Sequence, residues 1–181
     1  IYQRTTSPTG PSLRNLLFSN IVIQHSNWGI SGIIYTDVVA PGGIEDVRFA
    51  NMQVRSRLGN YLVGSKSIAV KNITFRDVHF TVTGFMKKAP ETIPDPFRNV
   101  HSGAVIPHAF LLRHARDVSF LDCRISWDKA KGEWLSGVHV VDGHRIDCRQ
   151  LRVDPLHDQW DSAVTTTDSL VAMPESDFPQ K

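Results

Sequence analysis

Residues 72–80 read Asn-Ile-Thr-Phe-Arg-Asp-Val-His-Phe, and four other stretches of this chain follow the same pattern. The pattern is a polar residue, an apolar-x-apolar triplet, two mostly polar residues and a second apolar-x-apolar triplet. Each triplet alternates with a period of two, as a strand with one buried face requires. The other four stretches are residues 15–23, 46–54, 117–125 and 145–153.

The polar pair between the triplets breaks the alternation, as a corner in the chain would. Asn20, Asn51, Asp77 and Asp122 stand at this corner in four of the five units. Asn and Asp tolerate a left-handed backbone and bond locally, which suits a corner. The units begin 31, 26, 45 and 28 residues apart, within the range of about 20–50 residues typical of solenoid repeats. The sequence therefore predicts an all-β fold built from the coils of a parallel β-helix.

Further apolar segments lie between the units and are candidates for a third strand in each coil. They are residues 29–35, 109–113 and 137–141. The alternative is an antiparallel sandwich built from hairpins, but hairpin signals between the units are scarce, and only Asp142-Gly143 fits one.

Three regions are expected along the 181 residues. Residues 1–153 form the coils, residues 83–108 are an inserted loop with four prolines, and residues 154–181 form an irregular C-terminal tail. Insertions in solenoids map to loops on one face, often the binding face.

Charge is unevenly distributed along the chain. The net charge is +2, but the tail holds six acidic residues and one basic residue, so residues 1–153 carry a balance of +7. A basic body suits an anionic polymer such as a uronic-acid polysaccharide or nucleic acid, and an ordinary solvated face is the alternative. No nucleic-acid motif is present, so we expect no nucleic-acid partner. The apolar runs are far shorter than the ~18 residues of a membrane span, so we expect no membrane partner.

A family resemblance appears in the first unit and its neighbours. Residues 14–23 and 26–30 resemble the later coils of family 28 of the glycoside hydrolases, the polygalacturonases and their pectin-active relatives. Residues 43–51 resemble the following coil, and residues 107–118 resemble a stretch of the bacterial and plant branches. The resemblance covers about residues 13–153 and implies the late coils of a right-handed parallel β-helix. It also implies inverting hydrolysis of galacturonic-acid-containing polysaccharide (pectin), in an extracellular or periplasmic location, although no signal peptide is visible.

The chain departs from that family in its catalytic motifs. The family's Asn-Thr-Asp, Asp-Asp, Gly-His-Gly and Arg-Ile-Lys motifs are not found, and Gly143-His144-Arg145 is not Gly-His-Gly. We therefore assign no catalytic residue. The resemblance implies that the acids lie upstream of Ile1, in a missing N-terminal half that would be this chain's partner, and that the chain alone is inactive. One alternative is a non-catalytic carbohydrate-binding or structural β-helix module. Another is a lyase or epimerase with bound Ca²⁺, which the basic body does not favour.

Three residues are candidates for substrate binding. Trp28 stands where the resembling enzymes often carry a sugar-contacting Tyr, and an aromatic ring can lie against a pyranose face. Covering a coil edge is the alternative role for Trp28. Arg113 and His114 lie in a matched stretch, and an Arg can bind a carboxylate with two hydrogen bonds. In the inserted loop, Lys87, Lys88 and Arg98 are further candidates for contacts with an anionic chain, although a solvated loop also explains them.

The other reactive side chains are expected to be structural. Corner Asp residues on neighbouring coils would stack at ~4.8 Å, but backbone geometry and side-chain ladders explain them without an acid–base role. The eight histidines show no metal-binding spacing, so we expect neither a metal nor another cofactor. Cys123 and Cys148 fall in different strand stacks, which favours two buried free thiols over a disulfide.

Overall fold

The structure of this chain is a computed structural model that describes residues 12–33, 42–86, 106–156 and 163–173. All regular secondary structure in these ranges is β-strand. The strands, in chain order, are β1 (Leu13–Ser26), β2 (Ser31–Ile33), β3 (Ile44–Ser56), β4 (Asn60–Val63), β5 (Val70–Val82), β6 (Phe85–Met86), β7 (His108–Arg113), β8 (Ala115–Leu121), β9 (Cys123–Trp127), β10 (Lys131–Gly132), β11 (Ser136–Val141), β12 (His144–Asp147), β13 (Leu151–Val153), β14 (Val164–Thr167) and β15 (Val171–Ala172).

The strands form three sheets, and every pairing among the described residues is parallel. The large sheet has eight strands along the path β1-β3-β5-β8-β12-β15, with β9 beside the second half of β5 and β13 beside β9. A five-stranded sheet has the order β14-β11-β7-β4-β2, and β6 pairs with β10. The fold is therefore all-β with parallel sheets, which rules out the antiparallel sandwich. The chain passes repeatedly from the large sheet to the five-stranded sheet and back, as a parallel β-helix would.

The five sequence units lie in register in the large sheet, as predicted. Val47 pairs with Ile73, Ile73 with Val118, and Val118 with Ile146. One inward-facing row is aromatic, with Phe18, Phe49, Phe75 and Phe120 stacked at centroid distances of 5.2, 4.9 and 4.9 Å. Stacking of like side chains on successive strands therefore builds the core in layers.

The corner residues adopt the left-handed conformation that the sequence predicts. Asn20, Asn51, Asp77 and Asp122 have φ of 57°, 51°, 52° and 52°. The polar first residue of each unit also has a positive φ, which we did not predict, and in the fifth unit this residue is Arg145. Side chains at these positions form ladders between strands: the Asn51 amide donates to Asn20 Oδ1 at 2.5 Å, and the Asn72 amide donates to Asp46.

The expected third strands are confirmed as members of the five-stranded sheet. Residues 31–33, 108–113 and 136–141 form β2, β7 and β11. The sequence missed β4, because all four of its residues are buried and it shows no alternation. It also missed β14, where Thr165 and two other threonines give no apolar signal.

Two of the predicted segments contain strands that the sequence did not indicate. Residues 163–173 lie in the expected irregular tail, but they form β14 and β15, which pair with β11 and β12. The expected loop at 83–108 begins with a short strand, β6, which pairs with β10. Lys87, Lys88 and Arg98 lie outside the described residues.

The main core lies between the large sheet and the five-stranded sheet. Its largest fully buried side chains include Phe75, Phe80, Phe110 and Phe120. Cys123 and Cys148 are buried and free, which confirms the expectation for the thiols. Burial raises the pKa of Cys123 to about 11 and that of Cys148 to about 12.

Candidate functional site

An open groove of about 660 Å³ lies where the chain leaves the five-stranded sheet and enters the large sheet. The starts of β1, β3, β5 and β8 form its floor, and the turn at 64–69 overhangs it. His114 and Asp142, each in the one- or two-residue turn before a strand of the large sheet, complete the wall. Among the three substrate-binding residues predicted from the sequence, His114 is the one that lines this groove.

A ladder of charged residues crosses the groove floor. Arg14 pairs in register with Glu45, Glu45 with Lys71, and Lys71 with Arg116. Arg14 and Lys71 both form salt bridges with Glu45, whose side chain is only 8% exposed, and the Lys71 Nζ–Glu45 Oε2 distance is 2.6 Å. Two cations therefore flank one carboxylate, which leaves the floor with an excess of positive charge.

Two further groove cations have no ion-pair partner among the described residues. Arg116 is exposed at the next step of the ladder, and Lys66 is exposed on the overhanging turn. Neither belongs to any salt bridge in the described ranges. Ammonium and guanidinium groups that form no salt bridge retain much of their positive field, so at a concave surface they attract anions.

The turn that carries Lys66 is held in a fixed shape. The Ile68 backbone amide donates to Ser65 Oγ at 2.9 Å, and the Ser65 amide donates to the Ile68 carbonyl at 2.8 Å. Gly64 anchors the turn by donating to the Arg113 carbonyl, and a Cβ on Gly64 would lie 2.4 Å from the His114 carbonyl oxygen. Only a residue without a side chain allows this close approach. The backbone of the turn is therefore fixed where Lys66 and Ser67 line the groove.

His114 adds a titratable group to the groove wall. Its Nδ1 lies 3.1 Å from Asp142 Oδ2. Burial lowers the pKa of His114, the carboxylate of Asp142 opposes that effect, and the nearby cations of Arg113 and Lys66 reinforce it. In the neutral ring the proton lies on Nδ1, which donates to Asp142 and fixes the orientation of the ring. Nε2 then carries no proton and can accept a hydrogen bond from a ligand.

Arg113 lies beside His114 but does not line the groove. It ends β7 and pairs in register with Val63 and Val141. Its Nε is buried and has no hydrogen-bond partner among the described residues.

Trp28 lies away from the groove. It is half-buried and packs against a small cluster that contains Tyr61, Val63, Ile106 and Leu111. Its ring meets the Tyr61 ring edge-on, at a centroid distance of 6.4 Å and an angle of 79°. The structure therefore does not bring Trp28 and His114 into one site.

The sequence reasoning missed the charged floor, although a signal was present. Arg14, Glu45, Lys71, Arg116 and His144 each come directly before the first residue of a unit. That position is charged or titratable in all five units, so the repeat alone would have placed these side chains in one row across the sheet.

A polar cluster lies on the five-stranded sheet. His108 Nδ1 is 2.8 Å from Ser136 Oγ, and His139 Nδ1 is 2.7 Å from Thr165 Oγ1. Ser136 and Thr165 also lie within hydrogen-bond distance of each other, at 3.1 Å. A Ser–His pair can form a nucleophile, but Ser136 is fully buried, and no carboxylate forms a salt bridge with either ring among the described residues. The role of the cluster is therefore structural: its side chains form hydrogen bonds with one another inside the fold.

The carboxylates of Asp117 and Asp154 are also engaged in structure. The Arg145 guanidinium donates to both oxygens of Asp117 and lowers the pKa of that carboxyl. Arg124 makes a similar bidentate contact with Asp154, with the shortest distance at 2.7 Å. In the described ranges, no group of three His, Cys, Asp or Glu side chains is arranged to hold a metal ion. The same part of the chain contains no helix long and apolar enough to cross a membrane.

Comparison of this chain with protein-family models, curated proteins and solved structures finds no match.

Proposed function

We propose that this chain is part of a right-handed parallel β-helix that binds an anionic, uronic-acid-containing polysaccharide in the basic groove. The parallel pairing throughout the described strands supports the helix, and crossover connections between parallel strands of one sheet are right-handed in about 98% of cases. The repeat of strand, corner, strand and third strand supports the same conclusion.

One observation carries the choice of ligand. Lys66 and Arg116 are exposed cations without ion-pair partners among the described residues, and they share an open groove with serine hydroxyls and a fixed imidazole. Carboxylates accept charge-assisted hydrogen bonds from such cations, and hydroxyl groups suit the sugar oxygens. A polymer with a carboxylate on each sugar meets both requirements, and so does the pectin backbone that the sequence resemblance suggests.

We further propose that the binding segment belongs to a polygalacturonase-like glycoside hydrolase that acts outside the cytoplasm. Inverting hydrolysis requires two carboxyl groups about 6.5–9.5 Å apart, one protonated and one ionised. The groove carboxylates do not suit that role: Glu45 is held between Arg14 and Lys71, and Asp142 pairs with His114. In this proposal the catalytic acids come from outside this chain, and the chain alone is inactive.

The second candidate is a non-catalytic carbohydrate-binding module of the same architecture. The engagement of Glu45 and Asp142 in ion pairs favours it, because the groove then needs no catalytic group to bind its ligand.

Affinity electrophoresis tests the proposed ligand. The chain should be retarded in gels that contain polygalacturonate and should migrate freely in gels that contain a neutral galactan. Added salt should reduce the retardation, because ions screen exposed charges beyond about 8–10 Å. Free migration in polygalacturonate at low salt would refute binding. A parallel reducing-end assay should show no hydrolysis by the pure chain, and measurable release would refute the assignment of the catalytic acids to another segment.

A further inference from the structure

The large sheet ends in a long strand with one open edge. β1 is 14 residues long and stands first in the sheet path, where it pairs with β3 and with no other described strand. Within the described part of the chain, no strand pairs with the opposite edge of β1, so the N–H and C=O groups on that edge are open to a further strand. Such an edge is a template for a further strand.

The core is also incompletely covered at this edge. Leu16, Phe18, Ile21 and Ile23 point inward but are only partly buried. Their partners in β3 are Val47, Phe49, Met52 and Val54, and none of these four is more than 3% exposed. The difference arises because β3 has a strand on both sides, whereas β1 has a described strand on one side.

Two side chains at the edge define what would fit against it. Phe18 stacks one face of its ring on Phe49, with planes 13° apart, and its other face is not covered by a described ring. Asn20 accepts a hydrogen bond from Asn51, which engages the oxygen of its amide and leaves its Nδ2 without a described acceptor. A strand that offered a ring beside Phe18 and a side-chain oxygen beside Asn20 would extend both ladders.

We propose that the open edge of β1 binds one further parallel strand that carries this chain's own repeat pattern. The bound strand places Asn or Asp beside Asn15 and Asn20, an aromatic ring beside Phe18, and aliphatic side chains beside Ile21 and Ile23. The partner is thus a repeat segment of the same kind. The inference does not depend on polysaccharide binding by the groove.

A second copy of β1 fits this edge less well. It would have to pair antiparallel, as two-fold symmetry requires. Matching the apolar rows would then put Phe18 opposite Ile21 and Asn20 opposite Ser19, so the amide ladder would not continue. The far end of another copy offers β15, which has only two residues. A parallel repeat strand satisfies the apolar row, the ring stack and the amide ladder together.

A peptide with the sequence of residues 44–56 tests the proposal with the chain as it is. β3 has this sequence, and it already pairs in parallel with a repeat strand on each of its edges. We expect saturable one-to-one binding by calorimetry, with slower amide exchange in β1. A control peptide with Phe49→Asp and Met52→Asp should bind at least about tenfold more weakly, because it lacks the apolar row.

Backbone methylation gives a second, sharper control. Within residues 52–56, which follow the corner at Asn51, alternate residues direct their N–H groups to the same edge, so methylation of one alternating set in this segment blocks one edge only. One of the two methylated peptides should lose at least about tenfold in affinity, and the other should bind much as the parent does. Equal binding by both methylated peptides, or no saturable binding by the parent peptide, would overturn the proposal. So would a dimer of the chain, seen by sedimentation, that the peptide does not dissociate.

Discussion

The imidazole rings of His108 and His139 lie nearly parallel, with their centroids 4.5 Å apart and their planes 14° apart. Each ring directs its Nδ1 to a hydroxyl group, that of Ser136 or Thr165. Burial and, second to it, the neighbouring His139 lower the pKa of His108 to about 3. Burial also lowers the pKa of His139, although its contact with Thr165 opposes this. Both rings are therefore neutral near pH 7.

This arrangement predicts that stability falls as the pH is lowered from about 6.5. In that range the unfolded chain binds a proton at His108 that the folded chain does not bind, so stability is fully present above pH ~6.5 and decreases towards pH ~3. One such group contributes about 1.4 kcal/mol per pH unit, or roughly 2 kcal/mol between pH 6.5 and pH 5. Urea denaturation at pH 5, 6 and 7 measures how the free energy of unfolding changes with pH.

The variant His108→Asn checks the assignment. Its side-chain amide can replace Nδ1 as the partner of Ser136, but it does not titrate. The slope of the unfolding free energy against pH, between pH 5 and 7, should fall by the equivalent of about one bound proton. His79→Asn is the matched control, because it removes an exposed histidine from β5. An unchanged slope in His108→Asn would show that the buried ring is not responsible.

The aromatic stack predicts a graded loss of stability on truncation. Phe75 is fully buried and contacts the rings of Phe49, Phe80, Phe110 and Phe120. Phe75→Ala should therefore lower the free energy of unfolding by about 3–5 kcal/mol. Phe18→Ala should cost less, because Phe18 is only partly buried. Chemical denaturation compares the two variants, and equal losses would contradict the layered core.

The corner at Asn51 predicts that a glycine variant is more stable than an alanine variant. Its φ is 51°, and its side chain donates to Asn20. Asn51→Ala should destabilise the fold by about 1–2 kcal/mol, because a Cβ without a local hydrogen bond disfavours the left-handed region. Asn51→Gly loses the same side-chain bond but tolerates the backbone angle, so it should be the more stable of the two. Thermal denaturation compares the stability of the two variants. A more stable alanine variant would refute the backbone explanation.

The five-unit pattern predicted much of the fold because its features are local. Apolar triplets identify the strands, and Asn20 or Asp122 at the corner identifies the bend, so register follows from aligning the units. β4 was missed for a different reason. Asn60, buried within it, accepts a hydrogen bond from Ile30 and donates one to the Ala109 carbonyl, so it links β4 to β7 and to the residue before β2. A polar residue in such a role depends on partners 30 and 49 residues away, which no local pattern reveals.

The candidate groove could be predicted only in part. The resemblance identified His114, and the repeat contained the charged row from Arg14 to Arg116, although that row was not recognised. The exposed position of Lys66 depends on the turn at 64–69, which packs against the backbone of Arg113 and His114 through Gly64. That contact joins segments about 50 residues apart in the chain, so no local pattern indicates that Lys66 and His114 share one surface.

The groove predicts a specific loss of polysaccharide affinity when its two unpaired cations are removed. In the double variant Lys66→Ala/Arg116→Ala, the affinity for polygalacturonate should fall about tenfold, because each exposed charge contact contributes about 0.2–1 kcal/mol. Arg48→Ala/Arg76→Ala is the matched control. It removes two exposed arginines from β3 and β5, outside the groove, and changes the net charge by the same amount.

Calorimetry at low and moderate salt separates a local contact from a general field effect. If the groove is the site, only the Lys66→Ala/Arg116→Ala variant should bind weakly and show a smaller dependence of affinity on salt. If binding depends on overall charge, both variants should weaken equally, because a long-range field responds to net charge rather than to position. Equal weakening would therefore refute the groove as the binding site, while leaving an anionic ligand as a property of the whole basic surface.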